Sequence, residues 1–163
     1  MVVMTVVLSL LFVSTLASGS KTITASTSDI VMFVVLVFMI GLAEEVMYRG
    51  VIQNALHDYF GEDSYEHVRA AILISGVFFG LIHLGNILSG EAVADTIGQV
   101  IGVIPMGIVM GAMYYRSGKN IWVNVILHAV YDASGLLMGG ILSGSGIINA
   151  LSGELKLSTI LPL

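Results

Sequence analysis

The chain has 163 residues, of which 56% are hydrophobic and 10% are charged, and its mean hydropathy is +0.98. This composition excludes an ordinary soluble domain and predicts an all-α, polytopic integral membrane protein. The formal net charge of -5 offers no basic surface for a phosphate backbone, so nucleic acid is not an expected partner. The sequence contains no cysteine, which excludes disulfides and thiol nucleophiles.

Five apolar runs of roughly twenty residues predict a bundle of about five transmembrane helices, at residues 2–17, 30–56, 69–89, 97–115 and 121–142. We expect one membrane-embedded domain over residues 1–163. The first run ends in small residues that resemble a signal-peptide cleavage site, but no basic segment precedes it, which favours a retained span. The Gly- and Ser-rich stretch after Ser143 does not predict a sixth span.

Glycines four residues apart recur in the predicted spans. This spacing lets helix backbones approach closely where lipid supplies no hydrophobic drive for association, so it predicts tight packing between spans. The pairs are Gly76/Gly80, Gly98/Gly102, Gly107/Gly111 and Gly135/Gly139.

Three charged residues, Glu44, Glu45 and Arg49, follow the uncharged stretch 30–43 in the second run. Each charge at mid-membrane depth opposes insertion by about 2.5 to 3.5 kcal/mol, so such residues mark functional sites or pair with one another. Adjacent helical residues point about 100° apart, and the two glutamates therefore have different roles. Glu45 precedes Arg49 by four residues, which predicts a Glu45–Arg49 pair and leaves Glu44 to face a cavity as a general base. A purely structural Glu–Arg pair would leave the second glutamate unexplained.

Two further polar sets fall at membrane depth. His83 lies in the third span, and His128 and Asp132 share one face of the fifth. With Glu44 they predict water-mediated hydrolysis, in which His83 positions the water or protonates the leaving amine and His128 donates to a developing oxyanion. We expect Glu44, His83 and His128 to converge around one water molecule. The other two histidines, at positions 57 and 67, fall in a predicted polar loop and receive no role.

Two alternatives remain open at this point. Glu44, His83 and His128 could instead hold a catalytic zinc ion, although the HExxH pattern of many zinc peptidases is missing. Glutamate and histidine at membrane depth are also typical of proton pathways, but the first and fourth spans supply no charged continuation.

The three motifs together resemble those of a known family. EExxxR occurs at 44–49, FxxxH at 79–83 and HxxxD at 128–132. At these residues the chain resembles the CAAX protease and bacteriocin-processing (CPBP, or Abi) family, over about residues 30–139. The resemblance implies an intramembrane endopeptidase without a cofactor, in which the first glutamate activates water and the second motif's histidine assists. The third motif would stabilise the oxyanion. Carried over, the catalytic residues are Glu44, His83, His128 and Asp132, with Glu45, Arg49 and Phe79 supporting them.

The third motif departs from one branch of that family. Asp132 stands where the prenyl-protein proteases have asparagine, and an ionised carboxylate cannot donate a hydrogen bond to an oxyanion. Asp132 would therefore have to be protonated or to act by orienting His128.

The resemblance also implies partners and a location. The expected partners are membrane lipid and a membrane-associated substrate, either a prenylated CAAX tail or a leader- or bacteriocin-type peptide. A non-catalytic alternative in the same family is a bacteriocin self-immunity or membrane scaffold protein. The short chain, with no organelle signal, favours a prokaryotic plasma membrane.

Overall fold

The computed structural model describes residues 10, 14, 17 and 26–136 and is helical, without strands in that part of the chain. Helix α1, Thr27–Glu45, continues as a π-helix over Val46–Gln53 and then as α2, Asn54–Phe60. Helix α3, Tyr65–Leu81, ends in a 3-10 helix, Ile82–Ser89. Helices α4, Val93–Arg116, and α5, Ile121–Leu136, complete the described fold. The predicted all-α class is confirmed.

Three helical stretches are long and apolar enough to cross a membrane: Thr27–Phe60, Tyr65–Ser89 and Val93–Arg116. They confirm the second, third and fourth predicted spans, with each stretch somewhat longer than the apolar run. Most of the first predicted span and residues 137–142 of the fifth lie outside the described residues, so the total of about five spans stays a prediction.

The chain divides into two compact units. One comprises the described residues among 1–39 together with those from His128 onward, and the other comprises 40–127. The first holds most of α1 and the second half of α5. Phe33 and Val37 of α1 are buried in it. The second holds the end of α1, the π-helix, α2, α3, the 3-10 helix, α4 and the start of α5. A single domain over residues 1–163 stays a prediction.

The second unit buries several polar side chains among apolar ones and exposes large apolar side chains at its surface. Large apolar side chains such as Ile82 and Ile101 are 62% and 67% exposed. This arrangement suits lipid, which solvates apolar groups but leaves buried polar groups to find partners within the protein. The buried polar side chains of this unit are those of Glu45, Arg49, Gln53, His57, Ser75, Thr96 and Asn124.

Helices α3 and α4 pack through glycine. A Cβ added to Gly76 would lie 2.5 Å from Ile108 Cγ1 and 2.7 Å from Ile108 N, and one on Gly80 would overlap Ile104. A Cβ on Gly107 would lie 2.9 Å from the carbonyl oxygen of Gly76. These approaches confirm the predicted tight packing for the 76/80 and 107/111 pairs.

The pair Gly98/Gly102 differs from these at its second glycine. Within the described part of the chain, a Cβ on Gly102 would meet nothing within 4 Å, so no tight packing is found at that glycine there. The spacing of four does not record which helix face meets a neighbour. Gly139, and with it the last pair, lies outside the described residues.

Candidate active site

Glu45 is a fully buried carboxylate with a hydrogen-bond donor on each oxygen. Arg49 Nη1 donates to Oε1 at 3.1 Å, and Asn124 Nδ2 donates to Oε2 at 3.0 Å. All three side chains are 0% exposed. The predicted Glu45–Arg49 contact is confirmed. Asn124, which sequence reasoning missed, brings the start of α5 onto the same carboxylate.

Arg49 is held by two further contacts. Its Nη2 donates to the carbonyl oxygen of Gly107 at 3.0 Å, and its guanidinium carbon lies 4.5 Å from the centroid of the Phe79 ring. A guanidinium over an aromatic face is attracted by the negative charge of the ring face. The Phe79 ring is 1% exposed and also meets the His83 ring edge to face at 5.5 Å. Phe79 therefore contacts both the arginine of the first motif and the histidine of its own motif.

The backbone changes character directly after the glutamate pair. The π-helix begins at Val46, and π-helical turns are rare and often occur at functional sites. Its hydrogen bonds span five residues, so the turn is wide and residues four apart stay near one face. Four polar residues at this spacing are at most 1% exposed: Glu45, Arg49, Gln53 and His57. We call them the polar row.

His57 corrects one prediction. The sequence placed it in a polar loop, whereas it lies in α2, 1% exposed, with its ring stacked on Tyr115 at 5.1 Å. The helix continues beyond the predicted end at residue 56 and stops at Gly61, whose φ of 85° suits glycine. His67 lies in the first turn of α3, with an exposed side chain 2.8 Å from Asp63. The regular spacing of Glu45, Arg49, Gln53 and His57 was the available signal for the row.

Backbone carbonyls of α4 anchor the row and its neighbour. Gln53 Nε2 donates to the carbonyl oxygen of Gly111 at 3.0 Å, and Asn124 Nδ2 donates to that of Met110 at 2.8 Å. A Cβ on Gly111 would lie only 2.8 Å from Gln53 Oε1. The glycines of α4 therefore admit polar side chains to the helix backbone as well as allowing close helix packing.

Glu44 and His83 are both half-buried members of this second unit. His83 Nδ1 lies 2.9 Å from the carbonyl oxygen of Phe79, four residues earlier in the last turn of α3. A carbonyl oxygen only accepts, so Nδ1 carries the hydrogen, and in the neutral ring Nε2 carries the lone pair. The ring is thus held in the tautomer that presents a basic nitrogen.

His128 and Asp132 belong to the first unit. His128 Nε2 lies 3.6 Å from Asp132 Oδ2, which is an ion-pair distance but longer than a hydrogen bond. His128 is 3% exposed. Their predicted position on one helix face is confirmed. The convergence of Glu44, His83 and His128 around a water molecule stays a prediction.

Comparison with known proteins identifies a family. The family model described as "Type II CAAX prenyl endopeptidase Rce1-like" matches residues 26–134, which is more than half of the chain. The matched region includes all three motifs. No curated protein and no solved structure matches the chain.

Proposed function

Because the chain belongs to the type II CAAX prenyl endopeptidase Rce1-like family, we propose that it is an intramembrane endopeptidase. It hydrolyses a peptide bond of a membrane-associated substrate with water activated by Glu44. The observation that carries this proposal is the double engagement of Glu45 by Arg49 and Asn124. A carboxylate held on both oxygens by buried donors is committed to structure, so the acid–base role falls to its neighbour Glu44.

The proposed first step is attack of water on the scissile carbonyl carbon. Glu44 takes one proton of the water while the oxygen forms a bond to carbon, giving a tetrahedral intermediate. His83 accepts a hydrogen bond from the same water through Nε2, because Nδ1 is engaged by the Phe79 carbonyl. The carbon–nitrogen bond then breaks as the leaving amine receives the proton that Glu44 took from the water, either directly or relayed through His83 Nε2.

His128 and Asp132 are assigned to the oxyanion. His128 donates an N–H to the negative oxygen, and the Asp132 carboxylate, whose Oδ2 lies 3.6 Å from His128 Nε2, orients the ring for this role. This separation supports a role in which Asp132 orients His128. It does not require a protonated Asp132 that donates a hydrogen bond to the oxyanion itself. The departure from asparagine in the third motif is then compatible with catalysis.

The substrate we propose first is a prenylated CAAX-type tail, since the matching family is described by that activity. A leader- or bacteriocin-type peptide is the second candidate. Both are membrane-associated peptides, and both suit an integral membrane protein with three helices able to cross the bilayer in its described part.

The test is cleavage of a prenylated reporter peptide and a leader-type peptide by the purified protein in detergent, with and without a zinc chelator. Glu44→Gln is the paired variant. We expect chelator-resistant cleavage that is lost in Glu44→Gln. Cleavage abolished by the chelator and restored by added zinc would replace the glutamate mechanism with a zinc site at Glu44, His83 and His128.

A third outcome addresses the non-catalytic alternative. A self-immunity or scaffold protein should keep its cellular effect in Glu44→Gln, provided that the variant still inserts into the membrane. Wild-type cleavage by Glu44→Gln would contradict the assignment of the base.

A further inference from the structure

The second unit buries several polar atoms that no protein group satisfies. In its described residues they number six, and four belong to the polar row or to Asn124 beside it: Asn124 Oδ1, Arg49 Nε, Gln53 Oε1 and His57 Nδ1. A buried polar atom without a partner destabilises a protein by about 1–3 kcal/mol. More than about 90% of buried polar groups are therefore hydrogen-bonded to protein or to water.

The orientation of these side chains is determined by their other contacts. The amide nitrogens of Asn124 and Gln53 face carbonyl or carboxylate oxygens, so reversing either amide would set two acceptors against each other. Gln53 Nε2 also lies 3.4 Å from His57 Nε2, which makes that ring nitrogen the acceptor and Nδ1 the one that carries hydrogen. The unsatisfied atoms therefore alternate in type. Asn124 Oδ1, beside Glu45, is an acceptor and Arg49 Nε is a donor. Further along the row, Gln53 Oε1 is an acceptor and His57 Nδ1 is a donor.

The row joins the interior to the aqueous edge. Its inner end is Glu45, and its outer end is His57, whose Nδ1 lies 3.8 Å from Glu62 Oε1. That gap is too long for a direct hydrogen bond and is a distance at which water commonly bridges. Glu62 lies between α2 and α3, is 37% exposed in its side chain and is paired with Lys119. At the α-helical rise of about 1.5 Å per residue the row would span at most about 18 Å, and the wider π-helix shortens it.

We propose that ordered water molecules run along this row from the Glu62–Lys119 loop region to Glu45. The alternation of donors and acceptors fits only a ligand that both donates and accepts. A metal cation cannot accept from Arg49 Nε, and a simple anion cannot donate to the amide oxygens of Gln53 and Asn124. Water does both, and buried water typically makes about three such bonds.

We call this line of water molecules the water file. Its role in supplying water for hydrolysis rests on the proposed function. A hydrolase embedded in lipid consumes one water molecule per peptide bond, and the file ends at Glu45, next to the proposed base Glu44. It therefore supplies the reactant from the aqueous edge without opening the site to lipid. The file itself depends on the unsatisfied atoms and not on peptidase activity.

The absence of cysteine from the chain allows a direct test. Gln53→Cys and His57→Cys place single thiols in the file, and Val125→Cys places one at an apolar site that is equally buried at 0% exposure. The folded variants in detergent are exposed to Ag⁺, a probe small enough to follow a water path. Unreacted thiols are then counted by maleimide labelling after unfolding.

We expect both file thiols to react at least tenfold faster than the Val125→Cys thiol. If either file thiol is as slow as that control, the continuous file is wrong. If the control reacts as fast as the file thiols, the reactivity comes from general opening and the proposal is also wrong.

A second measurement uses the unaltered protein, in case a cysteine variant does not fold. Hydroxyl radicals generated by X-ray radiolysis arise from water next to a side chain, so His57 should be oxidised despite its 1% exposure. An unlabelled His57 would overturn the outer part of the file. Neither readout uses peptide cleavage, so failure of the file and failure of the peptidase proposal are separate results.

Discussion

Asn124 donates a hydrogen bond of 3.0 Å to Glu45 across a separation of 79 residues. Arg49, one helical turn after Glu45, donates a hydrogen bond to the other oxygen of the same carboxylate. Two adjacent glutamates thereby acquire different surroundings, since Glu45 is 0% exposed and Glu44 is half-buried. The difference predicts separable effects of substitution.

Glu44→Gln should reduce peptide cleavage by about 10²–10⁴-fold, the usual contribution of a general base, and should lower stability less than the same change at the fully buried Glu45. Glu45→Gln should instead destabilise the protein, because it leaves the buried Arg49 cation opposite a neutral amide. Removing one partner of a buried ion pair destabilises by about 3–5 kcal/mol. Cleavage rates and thermal unfolding in detergent, measured on both variants, check the two effects.

Each variant serves as the control for the other, since both replace a glutamate with glutamine and the two positions are adjacent in the sequence. Equal loss of stability in both variants, with cleavage retained in Glu44→Gln, would contradict the assignment of roles.

Asn124→Ala should lower the free energy of unfolding by about 1–3 kcal/mol, because it removes a donor from a buried, charged acceptor. The matched control is Asn86→Ala, which removes a 2.8 Å hydrogen bond to the neutral, part-buried Gln99. A neutral hydrogen bond contributes about 0.5–1.5 kcal/mol, so the control should be the milder change. Chemical unfolding of both variants in detergent measures the difference, and an Asn86→Ala effect as large as that of Asn124→Ala would contradict it.

Gly76→Ala should destabilise the packing of α3 on α4 by about 1–3 kcal/mol, since the added methyl would overlap Ile108, backbone included. Gly102→Ala should be neutral or stabilising by up to about 1 kcal/mol, because its Cβ meets none of the described residues and alanine is the better helix former. Thermal unfolding of the two single variants provides the comparison. A stabilising Gly76→Ala would mean that the two helices are not in close contact at this glycine.

His83→Ala should reduce cleavage by about 10²–10⁴-fold, as expected for the loss of a group that positions water and transfers a proton. His67→Ala is the control, because its exposed ring contacts Asp63 at the surface. Steady-state cleavage rates of both variants decide the assignment. Comparable losses in the two would show that the effect does not arise at a site around His83.

The Glu62–Lys119 pair should give a small, pH-dependent stabilisation. The hydrogen bond from Lys119 lowers the pKa of Glu62, and the same bond raises the pKa of Lys119. A lowered carboxyl pKa stabilises the fold above the unfolded value of about 4.3, and this is lost as pH falls through the folded pKa. The raised pKa of Lys119 acts at the alkaline end, with stabilisation lost as pH rises through it.

Glu62→Gln should therefore be slightly less stable than wild type at pH 7, by no more than about 1 kcal/mol for an exposed pair. The difference should vanish as the pH falls below the folded pKa of Glu62, and it should shrink in high salt. Unfolding curves from pH 3 to pH 7 measure it. A difference that stays constant over this range would rule out the charge as its source.

The spans could be predicted because hydrophobic length is a local property, and lipid requires each span to satisfy its own backbone hydrogen bonds. The Glu45–Arg49 and His128–Asp132 contacts could be predicted for a similar reason, since each joins residues four apart on one helix. The role of Asn124 and the anchoring of Arg49 on Gly107 could not. Those contacts join residues 79 and 58 positions apart, and hydropathy does not encode which helix faces meet.

By itself, the sequence determined that this is an all-α membrane protein of the CAAX endopeptidase type, with Glu44, His83, His128 and Asp132 as candidate catalytic residues. Composition carries the all-α membrane class, whereas the endopeptidase type and the candidate catalytic residues are what the motif resemblance and the family match imply. Only the tertiary structure decided that Glu45 is held on both oxygens, that His57 is buried in the polar row, and that Gly76 but not Gly102 is in close contact. Each of these depends on how two helices are packed, and in lipid that packing is set by close contact and buried hydrogen bonds between distant parts of the chain.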